Sequence, residues 1–200
     1  SRESPDKAAP KGQIRMTNSE DAVASGPTPQ ALVERLTRLL TVTPQSEDHF
    51  VGKRMPGGVG RVFGGEVIAQ ALMAATAAVD PDRLAHSLHA YFLRGGSEES
   101  DITYRVERDF DGGSFSARRV IAEQDGRPIL NLAASFHKRE AGVSHQDAMP
   151  EVPPPEDLAS EVELRRAVID KIPEQMRRQM TRPRAIEFRP VEARHWMNSE

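Results

Sequence analysis

In this 200-residue chain, the spacing that most readily supports chemistry is a glutamate directly after a glycine pair, at the mouth of an alanine-rich stretch. In Gly64-Gly65-Glu66-Val67-Ile68-Ala69-Gln70-Ala71-Leu72 the glycines open a helix. Free amides at a helix start, backed by the helix dipole, can polarise a carbonyl or hold a phosphate. The same glycines would also let a buried helix pass close under a sheet. Glu66 has two readings. It is a general base that directs a water, or a carboxylate that the dipole stabilises by about 0.3–1 kcal/mol. His86 alternates with Leu84, Leu88 and Phe92 on one strand face, as a hydrogen-bonded pocket-wall histidine or as a catalytic group. His89 lies three residues on, a spacing that sends the two rings to opposite faces of a strand and rules out a shared metal. Arg118 and Arg119 also point to opposite faces. One of them meets a ligand's phosphates, or both are solvated edge charges.

Several familiar chemistries are missing. Gly58-x-Gly60 near Gly64 misplaces its third glycine and follows no strand of a parallel unit, so no dinucleotide cofactor is implied. Gly112-Gly113-Ser114-Phe115-Ser116 fails the nucleophile-elbow pattern at its last position and joins two strands. The chain has no cysteine, which removes thiolate nucleophiles and Cys-based zinc sites and fits a cytoplasmic setting. No metal and no cofactor are expected. The net charge of −3 argues against nucleic-acid binding by bulk charge. No stretch approaches the ~20 apolar residues of a membrane span. The C-terminal Asn198-Ser199-Glu200 is not a peroxisomal address.

The elements that position these residues follow from periodicity. Residues 1–28 carry three prolines and no aromatic residue, and read as a disordered arm in which Met16 could be an alternative start. Thr28-Pro29 opens a helix with Leu32, Val33, Leu36, Leu39 and Leu40 on one stripe. A short extended segment around His49-Phe50-Val51 and a glycine-rich loop lead to the alanine-rich helix, Gly65 to about Val79, expected to be buried nearly all round. Four alternating strands follow: Leu84–Leu93, Ile102–Phe110, Ser114–Glu123 and Pro128–Lys138. Their turns predict antiparallel neighbours, and Asp125-Gly126 is a two-residue hairpin signal. The fold class is α+β, an antiparallel sheet wrapped around a long central helix. The hydrophobic content of 38% is low for a globular chain and places part of the sequence outside the core. Residues 29–140 form the domain and 141–184 a Pro-rich linker and helix, interrupted at Pro173. Residues 185–200 begin with a strand, Ala185–Glu192, of a further unit.

Three long motifs carry a resemblance: Arg61-Val62-Phe63-Gly64-Gly65-Glu66-Val67-Ile68-Ala69-Gln70-Ala71-Leu72, His86-Ser87-Leu88-His89-Ala90-Tyr91-Phe92-Leu93-Arg94-Gly95-Gly96 and Asp111-Gly112-Gly113-Ser114-Phe115-Ser116-Ala117-Arg118-Arg119-Val120. With Ala133-Ala134-Ser135-Phe136-His137 they resemble the N-terminal half of the bacterial acyl-CoA thioesterase II family, whose members are double hot-dog proteins. The resemblance implies a hot-dog fold and hydrolysis of fatty acyl-CoA by water. It also implies an acyl-CoA partner bound around Gly64, Gly65, Val67, His86, Phe92 and Arg118. Val67, Ile68, Ala71 and Leu72 against Leu88 and Phe92 would line an acyl slot or form an ordinary core. The family's catalytic Asp, Thr and Gln belong to the second unit, and no residue of this sequence matches them. The resemblance therefore leaves a second expectation open, a non-catalytic acyl-CoA-binding or pairing half. A lone unit should self-associate through its sheet edge or pair with a second unit.

Overall fold

A computed structural model describes residues 26–54 and 60–192. The expected disorder of the N-terminal arm and the start at Met16 concern residues outside this range, as do residues 56–59 of the glycine-rich loop and the last eight residues. Helix α1 (Pro29–Leu40) is capped by Thr28, whose hydroxyl accepts from the Ala31 amide. Its leucine stripe is only partly covered, and Val33 is exposed. Two short strands follow, β1 (Val42–Ser46) and β2 (His49–Gly52). The sequence reading missed β1, because Pro44 reads as a stop. On an edge strand proline costs no ladder hydrogen bond that is needed, and β1 is an edge.

Helix α2 (Gly64–Ala77) is the alanine-rich stretch, and it touches all six strands. Its buried positions are Glu66, Val67, Gln70, Ala71, Ala74 and Ala75, the i, i+3, i+4 pattern of one face. The opposite side is open, with Met73 45% exposed, so α2 is enclosed on one face and not all round. Small alanines let the helix lie close to the sheet. Larger side chains from the strands fill the space between. Ile102, Leu130, Leu132 and Phe136 are almost fully buried, each worth about 1.5–3 kcal/mol of burial.

The remaining strands are β3 (Arg83–Phe92), β4 (Ile102–Asp111), β5 (Phe115–Gln124) and β6 (Arg127–Lys138). The sheet is antiparallel throughout, in the order β1-β2-β4-β5-β6-β3. The β5–β6 hairpin has positive φ at both Asp125 and Gly126, as its sequence predicts. One expected neighbour pair fails. β3 pairs with β6 and not with β4, because the segment between them, residues 93–101, is long enough to cross the end of the sheet. Gln124 holds that crossing, accepting from the Ser97 amide at 2.8 Å and donating to the Ser97 and Ser100 carbonyls.

Two strand faces also differ from the simple alternation. On β5 the buried side is Ser116, Arg118, Val120 and Ala122, not Phe115, Ala117 and Ile121. On β3 the ladder steps from Ala85 opposite Phe136 to Ser87 opposite Ser135, which makes His86 the extra residue of a bulge. Parity reverses there. Leu88, Ala90 and Phe92 face the α2 side, opposite Ala134, Leu132 and Leu130, whereas Leu84 lies opposite His137 on the outer side.

Beyond the sheet, residues 139–154 have no regular structure. Helices α3 (Glu161–Ala167) and α4 (Glu174–Met180) follow, separated by a 3-10 turn and Pro173. Ser160 and Glu163 form a capping box on α3. Residues 185–192, expected as a strand, are irregular. Their polar groups are used locally instead of in a ladder. Phe188 O accepts from the Glu161 amide, and Arg189 donates to the carbonyls of Pro155 and Leu158.

Candidate functional site

The start of α2 borders a cavity of about 380 Å³ lined by Val62, Gly64, Val67, Phe92, Leu93, Arg94, Gly95, Gly96 and Ile129. That volume is in the range of ligand sites. The sequence fixes its shape in two places. The Val62 amide donates to Gly96 O at 3.0 Å and holds the segment before α2 against the crossing loop. Gly64 lies under the Phe92 ring so closely that a Cβ there would come within 2.7 Å of Phe92 Cζ. Phe63 is the N-cap and supplies no side-chain hydrogen bond to the helix start. The Glu66 and Val67 amides donate to Phe63 O, so the Gly64 and Gly65 amides are the ones left for a ligand or water, with the dipole behind them.

The candidate residues separate into three groups. Gly64, Val67 and Phe92 come together at the cavity. Gly65 adjoins them, but its outer side is covered by the Phe63 ring. His86 does not face the cavity. It lies on the outer side of the sheet, as Leu84 does, where its Nε2 is 2.8 Å from Ser135 Oγ and its ring packs edge-on against Phe115 and His137. Arg118 is neither a solvated edge charge nor near the cavity. It is 2% exposed at the other end of α2, about 20 Å along the helix from Gly64. There it donates twice to Ala78 O, to the Phe110 and Ala117 carbonyls and to Asp111 Oδ1. A cation on the last carbonyls of a helix complements the dipole. This partnership, with the hydroxyl of Ser116, holds the Asp111 carboxyl below the usual carboxylate range.

Glu66 also lies away from the cavity lining. It is buried, and its charge is felt by Tyr104, whose hydroxyl is pushed up first by burial and then by that carboxylate. Tyr104 donates to Gln70 Oε1 at 2.7 Å, and Gln70 Nε2 donates to Leu39 O and Lys53 O. One amide thus joins α2 to α1, to the end of β2 and to β4. Gly52 is obligatory beside it, because a Cβ there would lie 2.6 Å from Gln70 Cδ and 2.8 Å from Tyr104 Cε2. The sequence reading passed over Gln70 and Tyr104. The available signal was a lone amide on an otherwise apolar helix face, a type that must be hydrogen-bonded when buried. Among the described residues no cluster of three or more His, Asp or Glu suited to a metal ion is found.

Residues 53–137 match the family model of the acyl-CoA thioesterase N-terminal domain. Acyl-CoA thioesterase 2 of Haemophilus influenzae is 37% identical over 158 residues, 79% of this chain and 55% of that protein. Human acyl-coenzyme A thioesterase 8 is 44% identical over 124 residues, 62% of this chain and 39% of that protein. The chain therefore spans about half the length, or less, of these relatives. A crystal structure of an acyl-CoA thioesterase II from Mycobacterium marinum superposes with a TM-score of 0.57 at 43% identity, over 62% of this chain and 47% of that one. A hot-dog protein from Alicyclobacillus acidocaldarius superposes at 0.53 with 25% identity, over 63% and 48%. The antiparallel sheet around α2 is a hot-dog fold, and the chain is similar to the N-terminal part of acyl-CoA thioesterases of the thioesterase II type.

Proposed function

We propose that this chain forms the N-terminal unit of an acyl-CoA thioesterase that hydrolyses fatty acyl-CoA to fatty acid and CoA by attack of water on the thioester. The observation that supports this most directly is the cavity that joins Gly64 and Val67 of α2 to Phe92 of the free edge strand. In this reading the first amides of α2 polarise the thioester carbonyl. The apolar lining from Val67, Phe92 and Ile129 takes the adjoining methylenes.

The positions of Glu66 and His86 favour a second, narrower reading for this length of chain. Neither lines the cavity, and among the described residues its lining includes no carboxylate or imidazole to activate water there. The chain then binds acyl-CoA, or pairs, while a second hot-dog unit completes the site. The β3 edge, with Leu84, Leu88 and Tyr91 exposed along it, suits such pairing, either with another copy or with a second unit. Among the described residues no helix is long and apolar enough to cross a membrane.

A free-thiol assay with palmitoyl-CoA tests both readings on this chain and on a chain extended through a second unit. CoA release by the extended chain alone supports the narrower reading. Release by neither removes the thioesterase proposal.

A further inference from the structure

Two arginines stand at the lip of the α2 cavity, and the fold does not use up their charge. Arg94 lines the cavity. Its only side-chain hydrogen bond among the described residues is to a neutral carbonyl, Pro128 O, at 2.6 Å. Arg61 lies over Gly95, another lining residue. A Cβ on Gly95 would sit 3.7 Å from Arg61 Nε and 3.8 Å from its Cζ. Both side chains belong to exposed residues, and neither forms an ion pair among the described residues. Of the acids in the crossing loop, Asp101 pairs with Lys53, and Glu98 accepts from the Gly60 amide. An apolar cavity whose rim carries two unneutralised guanidinium groups fits a ligand with an apolar end and an anionic end.

We propose that Arg61 and Arg94 bind the phosphates of the coenzyme A moiety and make the site selective for CoA thioesters over thioesters of the bare pantetheine arm. The inference rests on the thioesterase reading above and extends it. The geometry allows the necessary offset. Arg61 stands three residues before Gly64, up to about 10 Å of chain, with its side chain extending beyond. The thioester can thus reach the start of α2 while the pantetheine arm carries the phosphates back to the rim. Arginine suits the task, because its planar fork matches phosphate oxygens and keeps its charge at every working pH.

The test measures binding of two thioethers that cannot be hydrolysed, S-dodecyl-CoA and S-dodecyl-pantetheine, by isothermal titration on the full chain. The variants are R61A, R94A and the charge-keeping R61K and R94K, each checked by circular dichroism. Each alanine variant is expected to weaken the CoA analogue roughly tenfold, the scale of a charge-assisted hydrogen bond. Each should leave the pantetheine analogue within about twofold, with lysine restoring part of the loss. Because Arg61 makes no hydrogen bond within the described fold, R61A carries the test even if R94A is poorly folded. An unchanged CoA affinity in R61A, or an equal loss for both analogues, overturns the proposal. If the wild-type chain binds neither analogue, it is the thioesterase reading that fails.

Discussion

Replacing Gln70 by alanine should be among the most damaging single changes in the domain, although it touches no ligand. Gln70 is fully buried and makes three hydrogen bonds, two donated to the Leu39 and Lys53 carbonyls and one accepted from Tyr104. The two carbonyls are only partly covered, so each lost bond costs about 1 kcal/mol net. The Tyr104 hydroxyl is fully buried and, left without its acceptor, costs about 1–3 kcal/mol. The sum is about 3–5 kcal/mol, a large share of the ~5–15 kcal/mol that holds a domain together. Tyr104→Phe removes one of the same bonds and should cost about 1–2 kcal/mol. Because that bond can be lost only once, the double variant should fall short of the sum of the singles by about 1 kcal/mol. Urea unfolding followed by circular dichroism, with equal m-values across the four proteins, supplies the cycle. A Gln70→Ala loss below about 1 kcal/mol, or strict additivity, would refute the view that this amide ties α1, β2 and β4 to the central helix.

Two further outcomes follow from the site and from the far end of α2. In Gly64→Ala the new methyl meets the Phe92 ring at 2.7 Å, but Phe92 is 55% exposed on an edge strand and can swing aside. Stability should stay within about 1 kcal/mol, while the reshaped cavity weakens binding of the thioether S-dodecyl-CoA roughly tenfold, as titration would show. Asp111 has a carboxyl lowered first by Arg118 and then by Ser116, so it contributes stability that is present above its unfolded value near ~3.9 and is lost as pH falls through the folded one. Asp111→Asn should therefore flatten the decline in urea midpoint between about pH 4 and pH 2. An unchanged slope would mean that the Arg118 partnership contributes nothing to acid stability.

The parts of the fold legible in the sequence are those where one local rule acts without competition. Asp125-Gly126 can hardly be anything but a tight hairpin. The alanine-rich run after Gly64 marks a helix that must lie close to its neighbours. The even positions of β6 from Leu130 to Phe136 give the core face outright. Where two rules compete, the reading failed. Pro44 signals a break, but an edge strand tolerates it. On β5 the bulky Phe115 and Ile121 attract a core assignment, yet the buried face is the one carrying Ser116 and Arg118. A buried guanidinium is legible only once the carbonyls of Ala78, Phe110 and Ala117 are seen converging on it, and those come from three separate stretches of chain.

The candidate site divides along the same line. Gly64, Val67 and Phe92 come together at the cavity because the start of a helix and the end of an adjacent strand face are both fixed by periodicity. His86 does not share a face with Leu88 and Phe92, since one inserted residue transfers the side chains that follow it to the other face of a sheet. The bulge also has a constructive effect. Without the parity change at His86, Leu88, Ala90 and Phe92 would point outward, and the cavity at Gly64 would lose its aromatic wall. His86 therefore shapes the site indirectly, through the register change it marks on β3, and the cavity itself is lined by Gly64 and Val67 of α2 and by Phe92 to Gly96.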